Sequence, residues 1–207
     1  QIRNTGLKME TAMFEATNNV NTQKGLIFLL GLSVFATANL LSKNEKFEIE
    51  TFSETVKKIC KNLTENELSL KLEAKTHGEK VFKKYGLKAG GARLEAEFGF
   101  PTVFKYGLPV FEKYFDKNKS NDKKNIENAL QRTLFSIISK NNDTNILFRK
   151  DEKTLENLKN LAKKVLNNEI KYSELIRFCK KENISPGGSA DLLVVSTYLF
   201  FIKSFFS

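Results

Sequence analysis

The chain has 207 residues, of which 41% are hydrophobic, so it can bury an ordinary globular core and does not have the composition of a disordered protein. Its 34 Lys and Arg exceed 24 Asp and Glu, a net charge of +10 that favours anionic partners such as nucleic acid, a membrane surface or phosphorylated small molecules. The two cysteines and one histidine lack metal-ligand spacing, which argues against structural zinc and predicts a reduced, cytoplasmic protein.

The first third of the chain predicts three helices. Residues 7–17 and 51–62 alternate apolar and charged positions at helical intervals. Residues 24–42 form a nearly unbroken apolar run that is slightly short for a membrane span and contains polar residues, so it predicts a buried core helix. Thr64 and Glu67 have capping-box spacing ahead of a further helix.

The middle of the chain is interrupted by glycine and proline. Five glycines break residues 76–100 into short helical pieces, and Pro101 and Pro109 each fit the first turn of a helix. Residues 116–125 form a polar, charged loop, and an amphipathic helix is predicted over 126–140.

The last third predicts a turn at 141–145, two Lys-rich amphipathic helices within 151–182 and an apolar helix ending the chain. Neither an internal repeat nor an alternating strand pattern occurs. We therefore predict an all-α fold: a single compact domain of eight to ten helices over residues 1–207, with buried apolar helices near both ends. Because the first residues already resemble the body of a helix, we expect that an N-terminal portion is lacking.

The start of the first apolar helix carries candidate phosphate-binding residues. Asn21 and Thr22 can cap the helix, and its free N-terminal amides together with Lys24 and Gly25 would bind a phosphate. On these residues alone, an ordinary cap followed by a solvated lysine is the favoured interpretation.

Two further stretches carry acids that helix packing does not require. His77 and Glu79 flank a glycine, which leaves a catalytic and a structural role for the histidine about equally favoured. Arg93 and Glu97 are four residues apart on a helix, where a routine ion pair is the alternative to a site. Glu95 points elsewhere and has no evident partner.

Residues 185–191 carry the strongest single motif. Ser185 can cap a helix, and Gly187 and Gly188 allow a ligand to approach backbone amides closely. Asp191 is placed to reach a metal ion or a hydroxyl group. Two adjacent glycines at the start of an apolar helix are unfavourable unless the fold or a ligand uses them.

Taken in order, the stretches VNTQKGLIFLLGL, THGEKVFKKYGLKAGGARLEAEFGFPTVFKYGLP, DTNILFRK and ISPGGSADLLVV resemble the triphosphoribosyl-dephospho-CoA synthase family, from about Gly6 to Leu193. This family makes the precursor of the prosthetic group of citrate lyase and, in a relative, of malonate decarboxylase. The chain departs from the family at Gln23, where histidine is usual, and in lacking the family's N-terminal portion.

The resemblance implies transfer of the triphosphoribosyl group of ATP to the 2′-hydroxyl of 3′-dephospho-CoA, with release of adenine. Such a reaction needs a carboxylate to accept the hydroxyl proton, cations around the triphosphate, and Mg²⁺ bridging phosphates and acidic side chains. The implied ATP- and phosphate-binding residues are Asn21, Thr22, Lys24, Gly25, Arg93, Ser185, Gly187, Gly188 and Ser189. The implied catalytic residues are His77, Glu79, Glu95 and Glu97, and the implied metal ligands are Asp143 and Asp191.

Two other classes of function remain open at this point. The Lys-rich helices of 151–182 fit a non-catalytic basic module that binds an acidic acyl carrier protein, and such a carrier or a downstream transferase is also a possible partner of the enzyme. A membrane-anchored helical protein is the other alternative. Nucleic acid is not expected, because the lysines are spread along solvated helix faces without an aromatic–basic motif. A membrane is not expected either.

Overall fold

A computed structural model describes residues 2–43, 47–69 and 77–206, with the backbone alone for Ser69 and His77. Within these ranges the chain forms eleven α-helices and no strand, which confirms the all-α prediction. The helices are α1 (Ile2–Ala16), α2 (Lys24–Ser42), α3 (Ile49–Ile59), α4 (His77–Tyr85), α5 (Gly91–Glu97), α6 (Leu108–Tyr114), α7 (Lys123–Ile138), α8 (Thr144–Arg149), α9 (Glu152–Leu166), α10 (Tyr172–Glu182) and α11 (Gly187–Phe206). Eight to ten helices was an underestimate, since the glycine-rich middle of the chain holds α4, α5 and α6 as separate short helices.

The centre of the fold is the packing of α2 against α11, the two apolar helices predicted near the ends of the chain. Leu29 and Leu40 of α2 lie in one buried cluster with Leu192 and Leu199 of α11. A π-helical turn (Val103–Gly107) packs against α11. Because α2 and α11 lie together, their N-terminal ends are held at the same side of the molecule.

Both α2 and α11 are long and apolar enough to cross a membrane by length and composition alone. About a third of each apolar window is buried inside the protein. A core helix of a soluble protein has the same composition, so the sequence of these two helices does not distinguish the two environments.

Two further clusters complete the core. In one, Ile138 of α7, Ile146 of α8 and Leu158 of α9 are buried together with residues of α4 and α10. In the other, Phe111 and Phe115 stack with ring centroids 5.1 Å apart, and Phe200 of α11 meets Phe111 edge-on at 5.0 Å. The many phenylalanines therefore act largely as core residues, as rings without a polar group should.

Several local predictions need correction. Helix α7 begins at Lys123 rather than 126, because the Asp122 carboxylate accepts a hydrogen bond from Lys124 N and caps it. The capping box is wrong: Glu67 pairs with arginines, and the Thr64 N–H donates to Glu97 Oε2 at 3.0 Å. Pro109 does lie in the first turn of α6.

Candidate functional site at four converging helix N-termini

The N-terminal ends of α2, α5, α8 and α11 surround one open cavity of about 450 Å³. The loop between α1 and α2 and the start of α4 complete its wall. Its lining residues are Phe14, Asn19, Asn21, Thr22, Lys24, Gly25, Leu29, Leu68, Gly78, Gly90, Gly91, Ala92, Arg93, Glu95, Asn141, Asn142, Thr144, Asn145, Gly187, Gly188, Asp191 and Leu192.

Convergence of helix N-termini makes the cavity attractive to anions. The first turn of each helix has backbone N–H groups without an intrahelical acceptor, and the helix dipole places roughly half a positive charge there. The two long helices, α2 with 19 residues and α11 with 20, contribute the strongest dipoles. A phosphate in the cavity would face several such ends at once.

Glycines allow these helix ends to approach one another. A methyl group at Gly25 of α2 would collide with the Asp191 carboxylate of α11. A Cβ at Gly187 would lie 2.7 Å from Asn145 Nδ2, and one at Gly91 would lie 2.9 Å from Thr144 Cγ2. The unusual glycines at these helix starts are thus explained by neighbouring side chains that occupy the Cβ positions.

A single buried carboxylate joins α8 to α11. Asp143 accepts a hydrogen bond from Asn145 N at 3.0 Å, which caps α8, and from Ser189 N at 2.8 Å, which caps α11. The Ser189 hydroxyl also donates to it at 3.0 Å. Burial raises the pKa of Asp143, and the hydrogen bonds from Ser189, Asn145 and Gly188 oppose that shift. These contacts give Asp143 the role of fixing two helix ends beneath the cavity.

Two cations at the cavity are held by acids. Lys24 Nζ lies 2.7 Å from Glu10 Oε2 of α1, and Arg93 Nε lies 2.7 Å from Glu67 Oε2. The routine Arg93–Glu97 pair considered above is therefore replaced by a pair with Glu67. The guanidinium uses only its Nε–H in this pair, so its remaining N–H groups can contact a ligand.

Asp191 and Glu95 are the acids that line the cavity. Burial, and secondarily the charge of Asp143, raises the pKa of Asp191 to about 7. Within the described part of the chain, no hydrogen bond or ion pair engages the Asp191 carboxylate. Burial also raises the pKa of Glu95, against hydrogen bonds from the hydroxyl and the N–H of Thr102. Both groups are therefore more basic than an exposed carboxylate.

The family of ATP:dephospho-CoA triphosphoribosyl transferases matches residues 1–206. The chain belongs to this family. It is 36% identical over 203 residues to a probable 2-(5′′-triphosphoribosyl)-3′-dephosphocoenzyme-A synthase of Pectobacterium carotovorum subsp. carotovorum, with 97% of this chain and 65% of the relative aligned. A relative of the same name from Photobacterium profundum is 36% identical over 208 residues, covering 96% of this chain and 64% of the relative. The chain thus spans just under two thirds of the length of these curated relatives. No solved structure matches it.

Most of the residues that the family resemblance implied lie at the cavity. Those in its lining are Asn21, Thr22, Lys24, Gly25, Arg93, Glu95, Gly187, Gly188 and Asp191. Glu79 is only 3% exposed and, like Glu97, lies outside the lining. Ser185 is exposed, and its carbonyl, rather than its hydroxyl, accepts from Gly187 N. The His77 side chain is outside the described residues, so its role stays a prediction.

Asn141, Asn142 and Asn145 line the cavity at the start of α8 but were not predicted from the sequence to be site residues. The motif NNDTN predicted a turn, and of its side chains only Asp143 was assigned to a site before the structure placed α8 beside α11. Across the described ranges no group of three or more His, Cys, Asp or Glu side chains could hold a metal ion by itself. A divalent cation here would need ligands from elsewhere, such as phosphate oxygens.

Proposed function

We propose that this chain transfers the triphosphoribosyl group of ATP to the 2′-hydroxyl of 3′-dephospho-CoA, making the prosthetic-group precursor of the citrate lyase acyl carrier protein. A bond forms between the hydroxyl oxygen and C1 of the ATP ribose, and the bond from C1 to adenine breaks with its electron pair on adenine. The hydroxyl proton passes to a base and adenine takes up one proton, so the reaction releases neutral adenine with no net change in protons. The observation that carries this proposal is one cavity in which four helix N-termini and two cations surround two basic carboxylates.

The triphosphate is the group that these helix ends suit best. Three linked phosphates can face the N-terminal ends of α2 and α11 at once and accept hydrogen bonds from the amides of α2, whereas the first-turn amides of Gly188 and Ser189 in α11 already donate to Asp143. Lys24 and the free N–H groups of Arg93 add charge-assisted hydrogen bonds at the same cavity. The triphosphate must therefore compete with Glu10 for Lys24, whereas Arg93 can keep its pair with Glu67 through Nε.

Mg²⁺ fits the oxygen donors of the cavity when it accompanies the triphosphate. Asp191 offers a carboxylate, and Asn141 offers its carbonyl oxygen because its amide nitrogen donates to Ser189 Oγ at 3.0 Å. Protein-bound Mg²⁺ commonly has one or two carboxylates, substrate phosphates and several waters. The ion would neutralise charge on the triphosphate. Asp143, the other predicted ligand, already accepts hydrogen bonds from Asn145, Gly188 and Ser189.

Glu95 is the general base that the arrangement favours. It lines the cavity, its raised pKa makes it a better proton acceptor than an exposed glutamate, and the two hydrogen bonds from Thr102 fix its orientation. Because the developing charge at C1 resembles an oxocarbenium ion, a nearby carboxylate also stabilises the transition state.

The test is a mass-spectrometric assay of this chain with ATP, Mg²⁺ and 3′-dephospho-CoA, measuring adenine and the triphosphoribosyl adduct. We expect Glu95→Gln to reduce turnover by about 100-fold or more. Glu97→Gln, two residues along the same helix but outside the cavity lining, is the matched control and should retain most activity. Equal rates for Glu95→Gln and the wild type would remove the base assignment, and no adduct from the wild type would remove the reaction.

The remaining expectations on cellular context belong to the same proposal. Nucleotide substrates and two free cysteines, one buried and one half-buried, support a cytoplasmic enzyme. The mutual packing of α2 and α11 supports a protein that acts without a membrane. The exposed lysines of α9 and α10 support contact with an acyl carrier protein or a downstream transferase, and the dispersion of these lysines argues against nucleic acid.

A further inference from the structure

A buried lysine lies directly behind the cavity wall. Lys159 of α9 is 8% exposed, although most lysines of this helix face solvent. Its Nζ lies 2.5 Å from Asn142 Oδ1 and 2.9 Å from Glu156 Oε1. Burying an ammonium group is unfavourable unless it is paired, and the pair with the half-exposed Glu156 could form equally well at the surface. Burial of Lys159 is therefore explained by its bond to Asn142.

The bond from Lys159 fixes which end of the Asn142 amide faces the ligand. An ammonium group donates hydrogen bonds and cannot accept them, so its partner must be the carbonyl oxygen of Asn142. The NH₂ group is the remaining polar end of this side chain, which lines the cavity. Asn142 can thus present two hydrogen-bond donors to an anion.

The neighbouring Asn141 presents its carbonyl oxygen to the cavity instead of its NH₂ group. The Ser189 hydroxyl gives its one proton to Asp143, which accepts only, so Ser189 must accept from Asn141 Nδ2. Asn141 is left with its carbonyl oxygen for the cavity. Adjacent residues therefore offer a donor and an acceptor, each set by a partner outside the cavity.

We propose that Lys159 is a positioning residue that orients the Asn142 amide so that its NH₂ group donates to a phosphate bound in the cavity. This inference rests on the proposed function, because it requires the cavity to bind a polyphosphate. It adds to that function a residue on α9, a helix that contributes nothing to the cavity lining.

A double-mutant cycle separates this role from a simple effect of charge. The full 207-residue chain is titrated calorimetrically with inorganic triphosphate, as wild type, Lys159→Met, Asn142→Ala and the double variant. Loss of a hydrogen bond to a charged ligand predicts about tenfold weaker binding for Asn142→Ala, and several-fold weaker binding for Lys159→Met. If Lys159 acts through Asn142, the double variant binds as Asn142→Ala does. Lys163→Met, which removes an exposed lysine of the same helix, is the charge control and should bind within about twofold of the wild type.

The outcomes distinguish this inference from the proposed function. A wild-type chain that does not bind triphosphate overturns both. A wild type that binds, with a Lys159→Met loss that persists undiminished in the Asn142→Ala background, overturns the positioning role alone. If Lys159→Met fails to fold, Asn142→Ala, which leaves Lys159 paired with Glu156, still tests whether the Asn142 amide that Lys159 orients contacts the phosphate. Unchanged affinity in Asn142→Ala would overturn the positioning role by itself.

Discussion

Replacing Asp191 by asparagine should stabilise the folded chain while it impairs ligand binding. The pKa of Asp191 is raised to about 7 in the folded protein from 3.8 in an unperturbed aspartate. Between these values the unfolded chain has lost the proton and the folded chain has kept it. Stability therefore falls as pH rises from about 4 to 7 and stays at its lower level above 7, the reverse of the usual behaviour of a salt-bridged aspartate. An isosteric neutral amide removes this penalty.

The expected size of the effect follows from the shift and its environment. A pKa raised from 3.8 to about 7 corresponds to about 4 kcal/mol by linkage. Asp191 is partly exposed, and the dipoles of the surrounding helix ends favour its charged form, so solvent screening and these dipoles reduce the effect to about 2 kcal/mol. In a protein of this size, that corresponds to a rise in Tm of about 4–8 °C.

The assay is urea unfolding of wild type and Asp191→Asn in EDTA, without nucleotide, at pH 8 and pH 4. We expect the variant to be about 2 kcal/mol more stable at pH 8 and within about 0.5 kcal/mol of the wild type at pH 4, where the folded wild type keeps the proton and the unfolded chain is only partly ionised. In a parallel titration, the variant should lose Mg²⁺-dependent affinity for ATP by about tenfold or more. A stability difference that is independent of pH, or a variant less stable at pH 8, would refute the assignment of a strained carboxylate.

Three other variants test the cavity and the hydrophobic core. Unlike Asp191→Asn, Asp143→Asn should destabilise the fold. We expect its unfolding free energy in urea to fall by about 2–4 kcal/mol, because an amide cannot accept from both Ser189 and Asn145. Gly25→Ala should change stability little but weaken triphosphate binding in calorimetry by about tenfold, since the methyl group displaces the Asp191 carboxylate. Gly31→Ala on the same helix is the control. A methyl group there meets nothing within 4 Å, so this variant should bind triphosphate normally. Phe111→Ala should lower the unfolding free energy by about 3–5 kcal/mol by opening a cavity in the aromatic cluster, with little effect on ligand affinity at retained fold.

The parts of the fold that follow from local pattern were predictable. The apolar run 24–42 coincides with α2, and the last apolar run lies within α11, because an uninterrupted apolar run of this length favours a helix, although only about a third of each run is buried. The glycine-rich middle was predicted as short helices, but its contacts were not. Glu67 could have capped its own helix, and only the tertiary structure brings Arg3 and Arg93 to it from 64 and 26 residues away.

The candidate site was only partly predictable, for a related reason. Asn21 and Lys24 were identified from a helix start, and Asn21 Oδ1 does accept from Lys24 N at 3.1 Å. In contrast, no local pattern singles out Lys159 among many lysines, since its role depends on a contact between α9 and Asn142 in the turn that precedes α8. The sequence also could not show which acid is the better candidate for the general base. Glu95 lines the cavity and Glu97 does not, and this depends on which side of the short helix α5 faces the cavity.

Glycine at the start of a helix is the sequence feature that best indicates which helix ends surround the cavity. Four glycines lie at the first or second position of a helix: Gly25, Gly91, Gly187 and Gly188. Glycine lowers helix propensity by up to about 1 kcal/mol relative to alanine. At Gly25, Gly91 and Gly187, a side chain from another helix start takes the space a Cβ would fill, and at Gly188 the Asp143 carboxylate lies within 3.3–3.5 Å of it. The fold therefore tolerates weakened helix starts because they let four positive helix ends share one cavity, where a bound anion would offset the repulsion among them.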